Sequence, residues 1–148
     1  MAKSNMDQDI LKVLITQDEI HARIQELGDR LYERFHDKNP MFVGVLNGCF
    51  TRDLQRDING RDIIVVEDIL DSGNTLAFLK DYMLAKGAKS ITIVTLLDKP
   101  ARREKAITAD LAGFVVPDEF VVGYGLDYCQ QYRNMPYIGV LKPEVYTK

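Results

Sequence analysis

The stretch VVEDILDSGNTL, residues 65–76, decides how this chain is read. The β-branched run Asp62–Glu67 reads as a buried strand. Glu67 and Asp68 stand at the carboxyl end of that strand. Asp71-Ser72-Gly73-Asn74-Thr75 then leads into an apolar pattern at helical spacing, Leu76, Leu79, Tyr82 and Met83, closed by Gly87. In an open α/β sheet, ligands bind beyond the carboxyl ends of the strands. A turn of small polar residues before a helix offers N–H groups and hydroxyls to an anion, and Gly73 lets the backbone come close. Three carboxylates beside such a turn would repel a bare phosphate. They make sense for a ligand that also offers hydroxyls, with a metal to offset charge; a phosphorylated ribose is one. The same residues also read as a plain cap and turn, with acids placed favourably before a helix dipole.

Outward from this stretch the chain alternates strand and helix. Thr16-Gln17-Asp18-Glu19 is a capping box. Ile20, Ile24, Leu27 and Leu31 recur at helical spacing, which predicts a helix over 17–35 that Asn39-Pro40 ends. Strands are predicted at 41–46, 62–67 and 90–97, a helix over 75–86, and shorter strands at 113–116, 120–122 and 137–141. Strand and helix in alternation mean a parallel sheet covered by helices. Only 15 residues separate the first two strands. Phe50, Leu54 and Ile58 fall at i, i+4 and i+8, so one short helix facing the sheet would make a right-handed crossover, and Asn59-Gly60 would turn the chain back.

The chain has 148 residues, 46% hydrophobic and 28% charged, and reads as a single soluble domain over 1–148. A net charge of −3 argues against a dedicated nucleic-acid binder. No apolar run has the length of a signal peptide or membrane span, which makes a cytoplasmic location the expectation. The two cysteines, Cys49 and Cys129, suggest no disulfide framework. His21 and His36 lack companions at metal-ligand spacing and read as packing or surface residues.

The decisive stretch resembles the phosphoribosyl pyrophosphate (PRPP) signature of the type I phosphoribosyltransferases. The wider chain resembles their hypoxanthine-guanine branch through LITQDEI, FVGVLNG, VVEDILDSGNT, TLLDKP, GFVVPDEFVVGYGLDY and YRNMPYIGVLKPEVY. The resemblance implies a type I α/β core with a small hood built from the N- and C-terminal segments. It implies transfer of the phosphoribosyl group of PRPP to hypoxanthine or guanine, giving IMP or GMP and pyrophosphate, with Mg²⁺ as cofactor and a homodimer or homotetramer as the assembly. Glu67 and Asp68 would hold the ribose hydroxyls and metal. Asp71 would be the acid–base group. Ser72, Gly73, Asn74 and Thr75 would cradle the 5′-phosphate. Lys99 would meet the exocyclic oxygen of a 6-oxopurine, Phe120 would stack on the base, and the Val121 backbone would read its edge. Asp127 would help hold the metal, with its backbone carbonyl near the base. Arg133, Asn47 and Gly48 would face pyrophosphate, Leu46-Asn47-Gly48 matching a loop that often carries a cis peptide in the family. Taken singly, Lys99 reads as a solvated turn lysine, Phe120 as core, and Asp127 and Arg133 as a surface pair.

The chain departs from the family after residue 50. A few tens of residues, including strands and a mobile closing loop with a Ser-Tyr pair, have no counterpart, and Asn47 replaces a basic residue. Either the chain is continuous through a short crossover, or the sequence as written omits residues. The missing loop leaves open a second reading, a shortened scaffold that binds PRPP or nucleotide and turns over little. A regulatory protein on the same fold is a third reading, set against by the retention of Lys99, Asp71 and Phe120.

Overall fold

The computed structural model describes residues 5–45 and 57–147. The elements in order are β1 (Ile10–Ile15), α1 (Gln17–Phe35), β2 (Met41–Gly44), β3 (Asp62–Leu70), α2 (Asn74–Ala85), β4 (Ser90–Asp98), β5 (Leu111–Val115), β6 (Val121–Val122), β7 (Ile138–Leu141) and α3 (Pro143–Tyr146). The chain divides into two compact units, residues 25–117 and residues 1–24 with 118–148.

The larger unit is built on a four-stranded parallel sheet in the order β2-β3-β4-β5. β3 and β4 lie at its centre. Ile63, Ile64 and Val65 are consecutive and all buried, as a strand covered on both faces requires. On one face Ile63, Val65 and Ile93 pack with Leu76, Leu79 and Met83 of α2 and with Val43, Ile58 and Ile107. On the other, Ile64 and Val94 meet Leu27, Leu31 and Phe35 of α1. This is the expected type I α/β arrangement. The smaller unit carries a three-stranded antiparallel sheet in the order β1-β7-β6, formed by the terminal segments expected to make a hood. Tyr132 and Tyr137 tie the segment before β1 to that unit, donating to Asp9 Oδ2 at 2.8 Å and Asp7 Oδ1 at 2.7 Å. Burial and these acceptors push both phenols up to about 12.

α1 begins at the capping box. Glu19 Oε2 accepts from the Thr16 N–H at 2.8 Å and from its hydroxyl at 2.7 Å. Just past the end of α2, Gly87 has a φ of +89°, which lets the Ala88 N–H return to the Met83 carbonyl.

Several expectations need correction. β3 does not stop at Glu67 but runs on to Leu70, paired with β4 through Leu70 and Asp98. Glu67 and Asp68 therefore sit inside the paired strand and not at its end. Ile24 does not join the buried face of α1 and is 42% exposed. β1 was not expected, because Ile10–Ile15 lacks the alternation of a half-buried strand. Of the three residues expected on a crossover helix, Phe50, Leu54 and Ile58, only Ile58 falls within the described residues, where it is buried. Phe50, Leu54, Asn47, Gly48 and the peptide bonds of Leu46-Asn47-Gly48 lie outside them. Among the described residues no helix is long and apolar enough to cross a membrane.

Leu79 is wholly buried between α2 and the sheet. Leu79→Ala is expected to lower the unfolding free energy by about 2–5 kcal/mol, read from the urea midpoint at unchanged slope.

Candidate functional site

β3 leads into a cleft lined by residues 67–76, with a volume of about 230 Å³. The structure thus brings together Glu67, Asp68, Asp71, Ser72, Gly73, Asn74 and Thr75, as the sequence predicts.

Gly73 forms the N-cap of α2 in the left-handed region, with φ +84°. A Cβ there would lie 2.6 Å from Ile107 Cγ2 and 3.1 Å from Arg103 Cδ. Glycine is thus demanded twice, by its dihedral and by what packs beneath the turn. The first N–H groups of any helix have no intrahelical acceptor, and here they open α2 directly at the cleft. The Ser72 hydroxyl accepts from Asn74 Nδ2 at 3.2 Å, and that amide also donates to Glu104 Oε2 at 2.8 Å.

The acids differ in their surroundings. Glu67 is half-buried and Asp68 exposed. Burial, and then the neighbouring Asp68 carboxylate, push the Glu67 carboxyl up to about 7. Asp68 Oδ1 accepts from the Ile69 N–H at 2.7 Å. Asp71 Oδ1 is buried and accepts no hydrogen bond from the described residues. Such an orphaned acceptor is costly in a finished fold and fits a group that meets a proton donor on a ligand.

Lys99 follows β4. It is 5% exposed, so the solvated-turn reading is excluded. Its N–H donates to the Leu70 carbonyl at 2.9 Å, joining the ends of β4 and β3. Arg103, which sequence reasoning missed, lies beyond the short helical turn Pro100–Arg102. Its guanidinium pairs with Asp98 and donates to the Asp71 carbonyl at 3.0 Å and the Ile107 carbonyl at 2.5 Å.

In the smaller unit, Phe120 is half-buried, stacked on Tyr146 at 4.8 Å between centroids and edge-on to Tyr128. Val121 is buried in β6, opposite Val140 of β7. Asp127 and Arg133 form an ion pair at 2.8 Å. Arg133 also donates to the Gly125 carbonyl at 2.8 Å, and Asp127 accepts from the Gln130 N–H at 2.9 Å. Tyr124, Cys129, Gln130 and Tyr132 of this loop all have positive φ, so the pair braces a strained turn. Both groups face their own loop here.

The phosphoribosyl transferase domain family matches residues 51–129. A hypoxanthine-guanine phosphoribosyltransferase from Bacillus subtilis is 44% identical over 177 residues, covering 95% of this chain and 98% of the relative. The chain belongs to the hypoxanthine-guanine phosphoribosyltransferases. The bifunctional protein TilS/HprT of Listeria innocua is also 44% identical across 97% of the chain, but the chain spans only 28% of that relative's length. A crystal structure of a hypoxanthine phosphoribosyltransferase from Staphylococcus aureus superimposes with a TM-score of 0.94 at 36% identity, covering all of both chains. The Bacillus alignment runs over 177 residues against 148 in this phosphoribosyltransferase, so family positions are indeed absent here.

Glu67→Gln isolates the buried charge. Its carboxyl titrates at 4.5 ordinarily and near 7 in the fold. The folded state holds the extra proton between those values, and its stability falls as pH rises through that window. Glu67→Gln should therefore raise Tm most above pH 7 and hardly at pH 5, by scanning calorimetry. A pH-independent gain would exclude charge burial as the cause. Gly73→Ala should cost about 1–3 kcal/mol of stability in the same instrument, because the left-handed dihedral and the contact with Ile107 both oppose it.

Proposed function

We propose that the chain is a single phosphoribosyltransferase domain that transfers the phosphoribosyl group of PRPP to hypoxanthine or guanine, releasing pyrophosphate and IMP or GMP. The observation that carries this reading is the buried, unsatisfied Asp71 Oδ1 beside a helix-opening anion turn, in a chain of this family. Purine salvage by a cytoplasmic homodimer or homotetramer follows from the same reading.

The roles follow from chemistry. The N–H groups of Ser72 to Thr75 take the 5′-phosphate at the positive end of α2. Glu67 and Asp68 accept from the ribose hydroxyls. Asp71 takes or shares the proton of the purine nitrogen as that nitrogen bonds to C1 and pyrophosphate departs. Lys99 donates only, so it suits a 6-oxo group and would leave an amino group unpaired. Phe120 stacks on the base and the Val121 backbone reads its edge. Arg133 meets pyrophosphate, for which it must share the donors it gives to its own loop; Asn47 and Gly48, assigned to the same group, lie outside the described residues.

Mg²⁺ suits the acid pair. Among the described residues no cluster of three metal-ligating side chains occurs, yet Mg²⁺ needs only one or two carboxylates beside water and substrate oxygens. The mutual repulsion of Glu67 and Asp68 is what a dication would relieve. When bound, the ion would offset charge on the departing pyrophosphate. Asp127, engaged by Arg133 and Gln130, fits the ion less well than the pair does.

One observation favours a second reading. The chain is shorter than its alignment with the Bacillus relative, and a chain without the closing loop would bind nucleotide and turn over slowly. A coupled assay for IMP and GMP, on protein whose intact mass matches the 148-residue sequence, separates the two. Asp71→Asn should lower kcat by about 10²–10⁴-fold and leave GMP affinity near that of the parent. Equal kcat in mutant and parent would remove Asp71 from the reaction.

A further inference from the structure

We infer that Arg103 is the positioning residue of the phosphate turn: it holds the carbonyls of residues 70–71 from beneath and so aims the following N–H groups at the ligand. The inference rests on the phosphoribosyl-transfer reading above and extends it to a residue outside the cleft lining.

Arg103 reaches three segments. Its Nε donates to the Asp71 carbonyl at 3.0 Å. One terminal nitrogen donates to the Ile107 carbonyl at 2.5 Å. The other pairs with Asp98 Oδ1 and lies 3.4 Å from the Leu70 carbonyl. A planar guanidinium with five donors can serve acceptors spread around its edge; a lysine ammonium is a point charge and cannot serve them all. The neighbours extend the grip. The N–H groups of Glu104 and Lys105 both donate to the Ser72 carbonyl, at 2.9 and 3.2 Å. Lys99 N–H holds the Leu70 carbonyl as well. Three successive carbonyls, of Leu70, Asp71 and Ser72, are therefore drawn to segment 99–107.

The consequence follows from peptide geometry. In a planar trans peptide each carbonyl points opposite to the N–H of the next residue. With the carbonyls of Leu70, Asp71 and Ser72 held by the strap, the N–H groups of Asp71, Ser72 and Gly73 must point away from it, toward the side where an anion would sit. The absence of a side chain at Gly73 allows this, since a Cβ would lie 3.1 Å from Arg103 Cδ. The ion pair with Asp98 is 15% and 20% exposed on its two sides, so the charge of the guanidinium is offset in a partly dry setting. Asp98 offsets the charge of the arginine, and the donors that the arginine gives to the carbonyls set the turn.

The test compares Arg103→Lys with Asp98→Asn. Arg103→Lys keeps the charge opposite Asp98 and loses the fork. A misplaced phosphate cradle should raise KM for PRPP by up to about 10²-fold, a loss typical of small displacements, with Tm above the assay temperature. Asp98→Asn leaves the carbonyl contacts in place and should keep KM near the parent's. Guanidinium at millimolar concentration should partly restore an Arg103→Gly variant. An unchanged KM in folded Arg103→Lys overturns the inference; so does an equal rise in Asp98→Asn, which would make the ion pair the agent. If Arg103→Lys does not fold, amide exchange in the parent decides. The Ser72 and Gly73 amides should be protected by GMP and not by guanosine, and equal exchange with both ligands overturns the proposal. A parent that transfers no phosphoribosyl group would sink the function proposed above, while the same amide measurement still judges the strap.

Discussion

Parallel pairing of β3 with β4, held in register from Asp62 and Ser90 to Leu70 and Asp98, determines where everything else in the larger unit lies. The apolar residues on its two faces are what α1 and α2 pack against. Its carboxyl edge delivers Asp71 and Lys99 side by side, tied by the bond from the Lys99 N–H to the Leu70 carbonyl. A slip of one residue would send every side chain of β3 to the opposite face. Ile63 and Val65 would leave the α2 core and Ile64 would leave the α1 core. The hydrophobic core is thus also the alignment device of the cleft, and large apolar side chains such as Leu79 influence chemistry they never touch.

Electrostatics work against this arrangement. Glu67 carries a carboxyl half removed from water beside another carboxylate, and Asp71 keeps an oxygen dry and without a hydrogen bond among the described residues. Neither favours folding. Both are the kind of local conflict that a fold tolerates where a ligand later supplies the missing partner. The braced loop around Asp127 and Arg133 differs, since its charges satisfy one another within the smaller unit.

Much of this was legible in the residues. The capping box and apolar spacing placed both ends of α1, and the β-branched run placed the centre of β3. The end of β3 was misread because acids normally interrupt a buried strand. Here Glu67 and Asp68 remain in the ladder as the core side chains give way to the cleft. Arg103 escaped notice for a different reason. It acts on main-chain carbonyls of distant segments, and no spacing in the sequence records which carbonyl a guanidinium will meet. Lys99 was misjudged in isolation because a lysine before proline looks like a turn, and only the sheet reveals that this turn is buried.

The double life of Lys99 bears on how such a chain diversifies. Its main-chain N–H belongs to the scaffold, and any residue but proline supplies that same bond. Its side chain would serve recognition in the role proposed above. The two are separable, so a change of side chain at position 99 leaves the join between the strands in place. In the proposed role, position 99 is where a new base preference could be built without touching the scaffold, whereas Gly73, wedged against Ile107 in a left-handed turn, admits no side chain without moving its neighbours.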